Sequence, residues 1–348
     1  MRILIVGGTG LISSQLAGLA AGRGDDVALV NRGISTVAAP PAGTHIIHAD
    51  ATDASAMRAA LRGPRLRGER FDAVVQFIAF EPSHVKADVE TFAKLTDQYV
   101  LIATSAAYKT FDHFHALTET TELENRFWQY AQLKIECERA LQEAAGAAGL
   151  GWTIVRPAHT YGPSRIPAYT GNSAHPWTVV DRMRRGASIV IPGDGTSLWT
   201  VTHSRDVAAG VLGLLGNKAA LGQAVHVTSD EALTWLGLYG AIAAAAGLTA
   251  EQFASQCVFV PTEAIVAANP GQEGSLRGDK MHPAVYDTSK IKSLVPGWEA
   301  GIRFADGVRE AIAWFEADPG RQSVDDAANT MFDKLADIYE RALREAST

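Results

Sequence analysis

Short runs rich in Ile, Val and Leu recur along the first half of the chain, at 3–6, 27–30, 46–47, 73–78, 100–103 and 153–155. Between them the apolar positions return at helical spacing, notably over 85–95 and 127–148. Strand-sized runs alternating with amphipathic helices predict an α/β fold, a Rossmann-type doubly wound parallel sheet with helices on both faces. After Arg156 the pattern breaks: Pro157, Gly162, Pro163, Pro167, Gly171 and Pro176 punctuate it before a helical stretch that ends at Arg185. The main boundary is therefore placed near residue 160, with 1–160 as the dinucleotide-type domain. Segment 196–224 is expected to return to that domain, with a helix over 206–215. Segments 161–195 and 225–348 are expected to form a smaller C-terminal α/β substrate domain.

Two later stretches have their own patterns. Residues 266–283 hold Asn269-Pro270-Gly271, Gly274, Gly278 and Pro283, the composition of a mobile surface loop. Over 325–346, Met331, Leu335, Ile338 and Ala342 fall on one helical face with Phe332 and Tyr339 beside it, which predicts a capping helix docked by that stripe.

The length of 348 residues exceeds what a single core usually fills and agrees with two unequal domains. A hydrophobic fraction of 47% against 20% charged residues is that of a globular chain. The formal net charge of −7 gives no electrostatic reason to bind nucleic acid or an anionic membrane. Cys137 and Cys257 stand far apart, outside any ligand-like spacing, so neither a disulfide framework nor a metal site is expected. The chain enters its first strand at once and has no apolar run of membrane-spanning length, so a cytoplasmic protein is expected.

The chemistry is concentrated at strand ends. The first strand leads into Gly7-Gly8-Thr9-Gly10-Leu11-Ile12-Ser13 and then a helix. There Gly7 permits a tight turn, Gly10 clears the approach of a pyrophosphate, and the helix start directs free N–H groups at phosphates. Ser13 is small enough for the helix to pack closely. The second strand ends at Asn31-Arg32-Gly33, where a carboxylate for the ribose hydroxyls of NAD would ordinarily stand. Arg32 could instead meet a 2′-phosphate, which favours NADP over NAD, or be a solvated arginine after a strand. Asp50, ending the third strand, could accept a bond from the adenine amine or cap a helix with Thr52 and Asp53. Tyr130 and Lys134 lie four apart in a helical stretch, on one face. An ammonium there would lower the phenol pKa and let Tyr130 exchange a proton with an alcohol or ketone. Thr104 and Ser105, after the fifth strand, add hydroxyls at the same sheet edge.

Taken in order, the glycine turn, Ala103-Thr104-Ser105-Ala106-Ala107-Tyr108, Tyr130 to Lys134, Arg156-Pro157, Tyr161-Gly162-Pro163 and His203-Ser204-Arg205-Asp206 make the chain resemble the extended short-chain dehydrogenase/reductases, the NAD-dependent epimerase/dehydratase family, over nearly its whole length. The resemblance implies a hydroxyl helper, placed at Thr104 with Ser105 as second choice, a tyrosine acid/base at Tyr130, and a lysine at Lys134. It implies a dinucleotide site formed by Gly7, Thr9, Gly10, Leu11, Ile12, Asn31, Arg32, Asp50, Ala51, Phe77, Ala79, Tyr130, Lys134 and Pro157. It also implies a homodimer, paired through the 85–95 and 127–148 helices.

Departures bear on the substrate. Family dehydratases follow the helper with an Asp-Glu pair, but Ser105-Ala106 stands here, against a sugar 4,6-dehydratase. His159 falls where the UDP-galactose epimerases have an asparagine. Trp199 replaces one of their diphosphate arginines, and Arg277 lies near the other. His159, Trp177, Trp199 and Arg277 are thus expected at the pocket wall, around a small-molecule substrate less charged than a nucleotide sugar. The expected activity is hydride transfer to or from a secondary alcohol of a sugar or sugar-like molecule. The alternatives are a nucleotide-sugar 4-epimerase or a non-catalytic RNA-binding relative, the latter suggested by the Asn31-Arg32-Gly33 turn and opposed by the acidic charge balance and the intact Tyr130/Lys134 pair.

Overall fold

The structure is a computed structural model that describes residues 1–34, 39–62, 70–110, 116–168 and 173–348. Gly171, one of the expected loop formers, lies outside them. In chain order the strands are β1 (Arg2–Val6), β2 (Asp26–Asn31), β3 (His45–His48), β4 (Ala73–Gln76), β5 (Gln98–Ile102), β6 (Gly151–Pro157), β7 (His159–Tyr161), β8 (Ile189–Pro192), β9 (Leu198–His203), β10 (Gln223–Val227), β11 (Ala232–Thr234) and β12 (Cys257–Val260).

Seven of these form one parallel sheet in the order β10-β6-β5-β4-β1-β2-β3. Ile3 pairs with Val27 on one side and Ala73 on the other. Because β1 is buried on both faces, its Ile3-Leu4-Ile5-Val6 run has no need of polar alternation. Ile3 and Ile5 pack under helices Leu11–Arg23 and Ser204–Leu214, whereas Leu4 and Val6 pack toward helices Pro82–Phe92 and Gln129–Ala148. The chain reverses its winding direction between β1 and β4, so a crevice opens beyond their carboxyl ends.

A further body of apolar side chains joins β8, β9 and β12 to helices Trp235–Ala245, Phe304–Glu316 and Asp326–Ala346. Two small sheets, β11-β9-β7 and β12-β8, border it.

The domain limits read from the sequence shift at two places. β10 runs through Val227 and pairs along β6, so the main sheet extends past residue 224. β9 pairs with β7 and β11 and not with the main sheet, although the Ser204–Leu214 helix that follows does cover that sheet. The expected loop at 266–283 is instead largely turns of helix: Thr262–Ala268, Pro270–Gln272, Glu273–Ser275 and a π-helical turn Leu276–Lys280. In the C-terminal helix the docked face is rotated. Ala328, Phe332, Leu335 and Ala336 are buried, while Ile338 is 40% exposed; the last turns extend past the surface they would need to cover.

One buried carboxyl props the crevice wall. Asp88 accepts bonds from Gln76 Nε2 at 2.6 Å and Tyr99 OH at 2.7 Å, and Gln76 Oε1 accepts the Ile78 N–H at 2.8 Å. Burial pushes Asp88 up to about 6, against the pull of those two donors. The unfolded chain loses this proton near pH 4 and the folded chain near pH 6, so the folded state binds more protons between the two. The contribution of this group is therefore greatest in acid and declines as pH rises through about 6. Asp88→Asn keeps an acceptor and removes the titration. Its stability should match the wild type near pH 4 and exceed it by about 2 to 3 kcal/mol above pH 7, measured by urea denaturation across that range; a constant difference would refute the assignment.

Candidate active site

The crevice deepens into a cavity of about 760 Å³ that runs from the turn after β1 to the π-helical turn. At one end, Gly7 takes φ +91°, and a Cβ there would come within 3.0 Å of Ile78, so the turn favours glycine on both counts. Gly8 presses on β2: a Cβ would stand 2.7 Å from Leu29. Ser13, 1% exposed, holds the turn closed by accepting the Gly10 N–H at 2.9 Å and donating to the Gly7 carbonyl at 2.6 Å. The Leu11 and Ile12 amides have no acceptor among the described residues, and Gly10, Leu11 and Ile12 line the cavity. Free amides at a helix start, with no side chain at Gly10, fit the diphosphate of a dinucleotide.

Asn31, Arg32, Asp50 and Ala51 follow β2 and β3 at the same sheet edge, outside the cavity lining. Asn31 Oδ1 accepts the Gly33 N–H at 2.9 Å. Asp50 binds the Thr52 amide and hydroxyl through Oδ1, at 3.0 and 2.7 Å. These bonds, and more weakly the nearby Arg32, hold its carboxyl below the usual range. The helix that follows is capped by Asp53 and not by Asp50. Thr9 lies within the turn, its N–H bonded to the Gly7 carbonyl at 3.0 Å, and does not line the cavity.

Midway along the cavity stand Phe77, Thr104, Ser105, Tyr130, Lys134 and Pro157. Thr104 and Ser105 have different partners. The Thr104 hydroxyl accepts the Ala106 N–H at 3.2 Å and pulls the Tyr130 phenol downward in pKa, whereas Ser105 Oγ accepts from Tyr286 OH at 2.9 Å. Lys134, 2% exposed, donates to the Ala79 carbonyl at 2.8 Å and the Ile102 carbonyl at 3.0 Å. Ala79 itself is fully buried and contributes through that carbonyl. Burial draws Lys134 down to about 8.

Burial raises Tyr130 above the ordinary range, opposed by the Thr104 hydroxyl and by the charge of Arg165. The i, i+4 spacing brings both residues to one face, but the ammonium turns to two backbone carbonyls.

Beyond Tyr130 the wall is made by Trp128, His159, Arg165, Trp199, Asp279 and Lys280. The His159 ring lies edge-on to Trp199, with centroids 4.8 Å apart. Burial, then the charges of Lys280 and Arg165, holds His159 well below its usual range, which makes it a neutral hydrogen-bonding group. Lys280 sits 5.4 Å from the Trp128 ring centre, 5.6 Å from that of Trp199, and 3.7 Å from Asp279.

Two expected wall residues are elsewhere. Trp177 is 4% exposed and packs between Phe315 and Arg184, inside the second core. Arg277 points away from the cavity and pairs with Glu263 and Glu273. Both misplacements have one cause, since burial and ion pairing are set by distant segments.

Conversely, Arg165, Asp279 and Lys280 carry no local motif. What brings the last two into place is Asn125, 6% exposed. Its amide donates to the Ala106 carbonyl at 2.9 Å and the Gly278 carbonyl at 2.6 Å. Its Oδ1 accepts the Trp128 N–H at 2.9 Å. Gly278 is required by this clamp, because a Cβ there would lie 2.6 Å from Asn125 Oδ1. Asp279 and Lys280 thus reach the cavity from within the π-helical turn, a distortion frequent at functional sites.

The sheet order and the glycine turn define a Rossmann-type α/β protein with a smaller second body. More narrowly, the chain belongs to the NAD dependent epimerase/dehydratase family, whose model matches residues 3–103 and 90–227. It is similar to the chloroplast stem-loop binding protein of 41 kDa b of Arabidopsis thaliana, 28% identical over 71% of this chain and 63% of that one. It is also similar to 2′-dehydrokanamycin reductase of Streptomyces kanamyceticus, 24% identical over 69% of this chain and 65% of that one. The matches thus span just under two thirds of either relative. The dTDP-glucose 4,6-dehydratase of Streptomyces venezuelae, crystallised with NAD, superposes with a TM-score of 0.69, covering 92% of this chain and 98% of that one at 21% identity. At that identity the likeness speaks for the fold. Among the described residues no helix is long and apolar enough to cross a membrane.

Proposed function

We propose that the protein is an NAD(P)-dependent oxidoreductase or epimerase that moves hydride to or from a secondary carbinol of a sugar or sugar-like substrate. The observation that carries this reading is the convergence of Thr104, Tyr130 and Lys134 on a cavity that opens from a diphosphate-fitting helix start. A bound nicotinamide would supply or accept the hydride. Tyr130 then gives or takes the hydroxyl proton, Thr104 orients the reacting oxygen, and Lys134, held by the Ala79 and Ile102 carbonyls, would bind the nicotinamide ribose. Burial keeps the Tyr130 phenol protonated in the ligand-free protein, a state suited to donating a proton to a forming alkoxide.

Arg32, with no carboxylate at the end of β2, supports NADP over NAD. NADPH should bind more tightly than NADH, and Arg32→Asp should weaken NADPH while sparing NADH; equal wild-type affinities untouched by the substitution, in a fluorescence titration, would remove Arg32 from the site. Tyr130→Phe should keep fold and dinucleotide affinity and lose about a hundredfold or more in turnover. Full activity in that variant would end this mechanism.

The similarity to the Arabidopsis stem-loop binding protein favours a second reading, RNA binding by the same fold. A stem-loop RNA titrated at low and high salt tests it, since phosphate-dominated binding weakens steeply with salt. Salt-sensitive RNA binding together with failure of any dinucleotide to bind would replace the oxidoreductase reading.

A further inference from the structure

The far wall of the cavity holds more positive than negative charge. Among the described residues lining it, Asp279 is the only carboxylate, against the cations Lys280, Arg165 and Lys134. Lys280 is paired with that carboxylate at 3.7 Å. The Arg165 guanidinium makes no hydrogen bond or ion pair among the described residues, and its charge is felt by the Tyr130 phenol, by His159 and by Lys280. Lys134, the remaining cation, has its donors committed to the Ala79 and Ile102 carbonyls. Arg165 lines the cavity while exposed to solvent, and the Lys280 side chain is 15% exposed, so two cations stand against one carboxylate at this wall and an anion between them would be attracted by both.

The cations also stand close to the reacting atoms. Trp128 stacks against Tyr130 with centroids 5.0 Å apart, and Lys280 lies over the same Trp128 ring. An anion between Arg165 and Lys280 is thus near the carbinol served by Tyr130, not at the end of a long nucleotide tail. Arg277, the cation that could have extended such a clamp, is spent on Glu263 and Glu273.

We propose that the substrate carries an oxyanion, a carboxylate or a phosphomonoester, on its own carbon skeleton beside the reacting carbinol, and that Arg165 and Lys280 bind it. Trp128 and Trp199 flank the remaining skeleton, and neutral His159 donates or accepts a hydrogen bond to it. This deepens the oxidoreductase reading and rests on it for the identity of the reacting carbon. Neutralising Arg165 also raises the Tyr130 proton affinity, so a bound anion keeps the phenol protonated and makes it a weaker acid.

The test uses the full chain with its dinucleotide site saturated by NADP, so that phosphate groups cannot occupy the helix start. Inorganic phosphate, acetate, D-glucuronate, D-glucose 6-phosphate, D-glucose and UDP are titrated against tryptophan fluorescence and melting temperature. The acidic sugars should bind at least tenfold more tightly than D-glucose, and the smaller anion of the matching class, acetate or phosphate, should compete with them. Which acidic sugar prevails distinguishes carboxylate from phosphomonoester. Arg165→Met and Lys280→Met should each lower that affinity about tenfold or more while leaving NADP affinity intact. Arg165→Lys should recover part of it.

Equal affinity for D-glucose, no effect of either substitution, or silence of every anion in the wild type would overturn the proposal. So would UDP outbinding the acidic sugars and losing its affinity in the same variants, which would point to a nucleotide. The two readings fail differently. Anion binding without any dinucleotide binding would sink the oxidoreductase and leave the anion subsite, whereas dinucleotide binding without anion preference would do the reverse.

Discussion

A buried ion pair holds the reacting groups in register. Arg156, at the end of β6, donates to Glu138 through Nε at 2.9 Å and Nη2 at 2.6 Å, and through Nη1 to Tyr108 OH at 3.0 Å. The Arg156 and Glu138 side chains are 4% and 2% exposed. Glu138 lies one helical turn beyond Lys134, Tyr108 closes the turn that begins at Thr104, and Arg156 precedes the Pro157-to-His159 wall. One guanidinium therefore ties together the three segments that bear the cavity-lining Thr104, Tyr130 and His159. Its planar fork suits the task, because a bidentate carboxylate fixes the roll of the helix as well as its distance. Breaking a pair of this kind leaves an unpaired buried charge and costs about 3 to 5 kcal/mol, far more than any surface pair in the chain could supply.

The other half of the cavity is anchored without charge. Ser13 bridges the Gly7 carbonyl and Gly10 amide, Gly8 lets the turn sit against Leu29, and Gly7 supplies the positive φ. Every contact in this turn joins residues within a few positions of one another or on the adjacent strand. That locality explains why the turn, the order of strands through β6 and the Tyr130/Lys134 spacing were all legible in the sequence. Period and short-range sterics act over the same distances as the patterns that reveal them.

The far wall was not legible, for the converse reason. Gly274 and Gly278 read as loop residues, yet each is there so that backbone can approach Trp128 and Asn125, some 150 residues earlier in the chain. A glycine that permits a turn and a glycine that permits a contact look the same in sequence. Trp177 and Arg277 show the same limit: their residue types suit a pocket, but Phe315 and Glu263 decide where they point. The C-terminal stripe was right in kind and rotated in phase, since the face that docks depends on what the second core leaves open. Resemblance to the family carried Thr104 to its place beside Tyr130, where spacing alone left Thr104 and Ser105 as equals.

The electrostatics of Tyr130 bring these two halves together. The phenol is raised by burial, and the Thr104 hydroxyl and the Arg165 charge oppose this. Lys134 has been drawn down toward neutrality by its own burial, and its two carbonyl partners lie on the loop after β4 and at the end of β5. The lysine joins Ala79 to Ile102 through those two bonds, while from the far wall Arg165 lowers the proton affinity of Tyr130 and Asp279 raises it. A tyrosine placed in this way responds to what fills the cavity: neutralising Arg165 raises the pKa of the phenol and makes it the weaker acid, and neutralising Asp279 does the reverse. The proton affinity of the phenol is thus coupled to the charge of whatever the cavity holds.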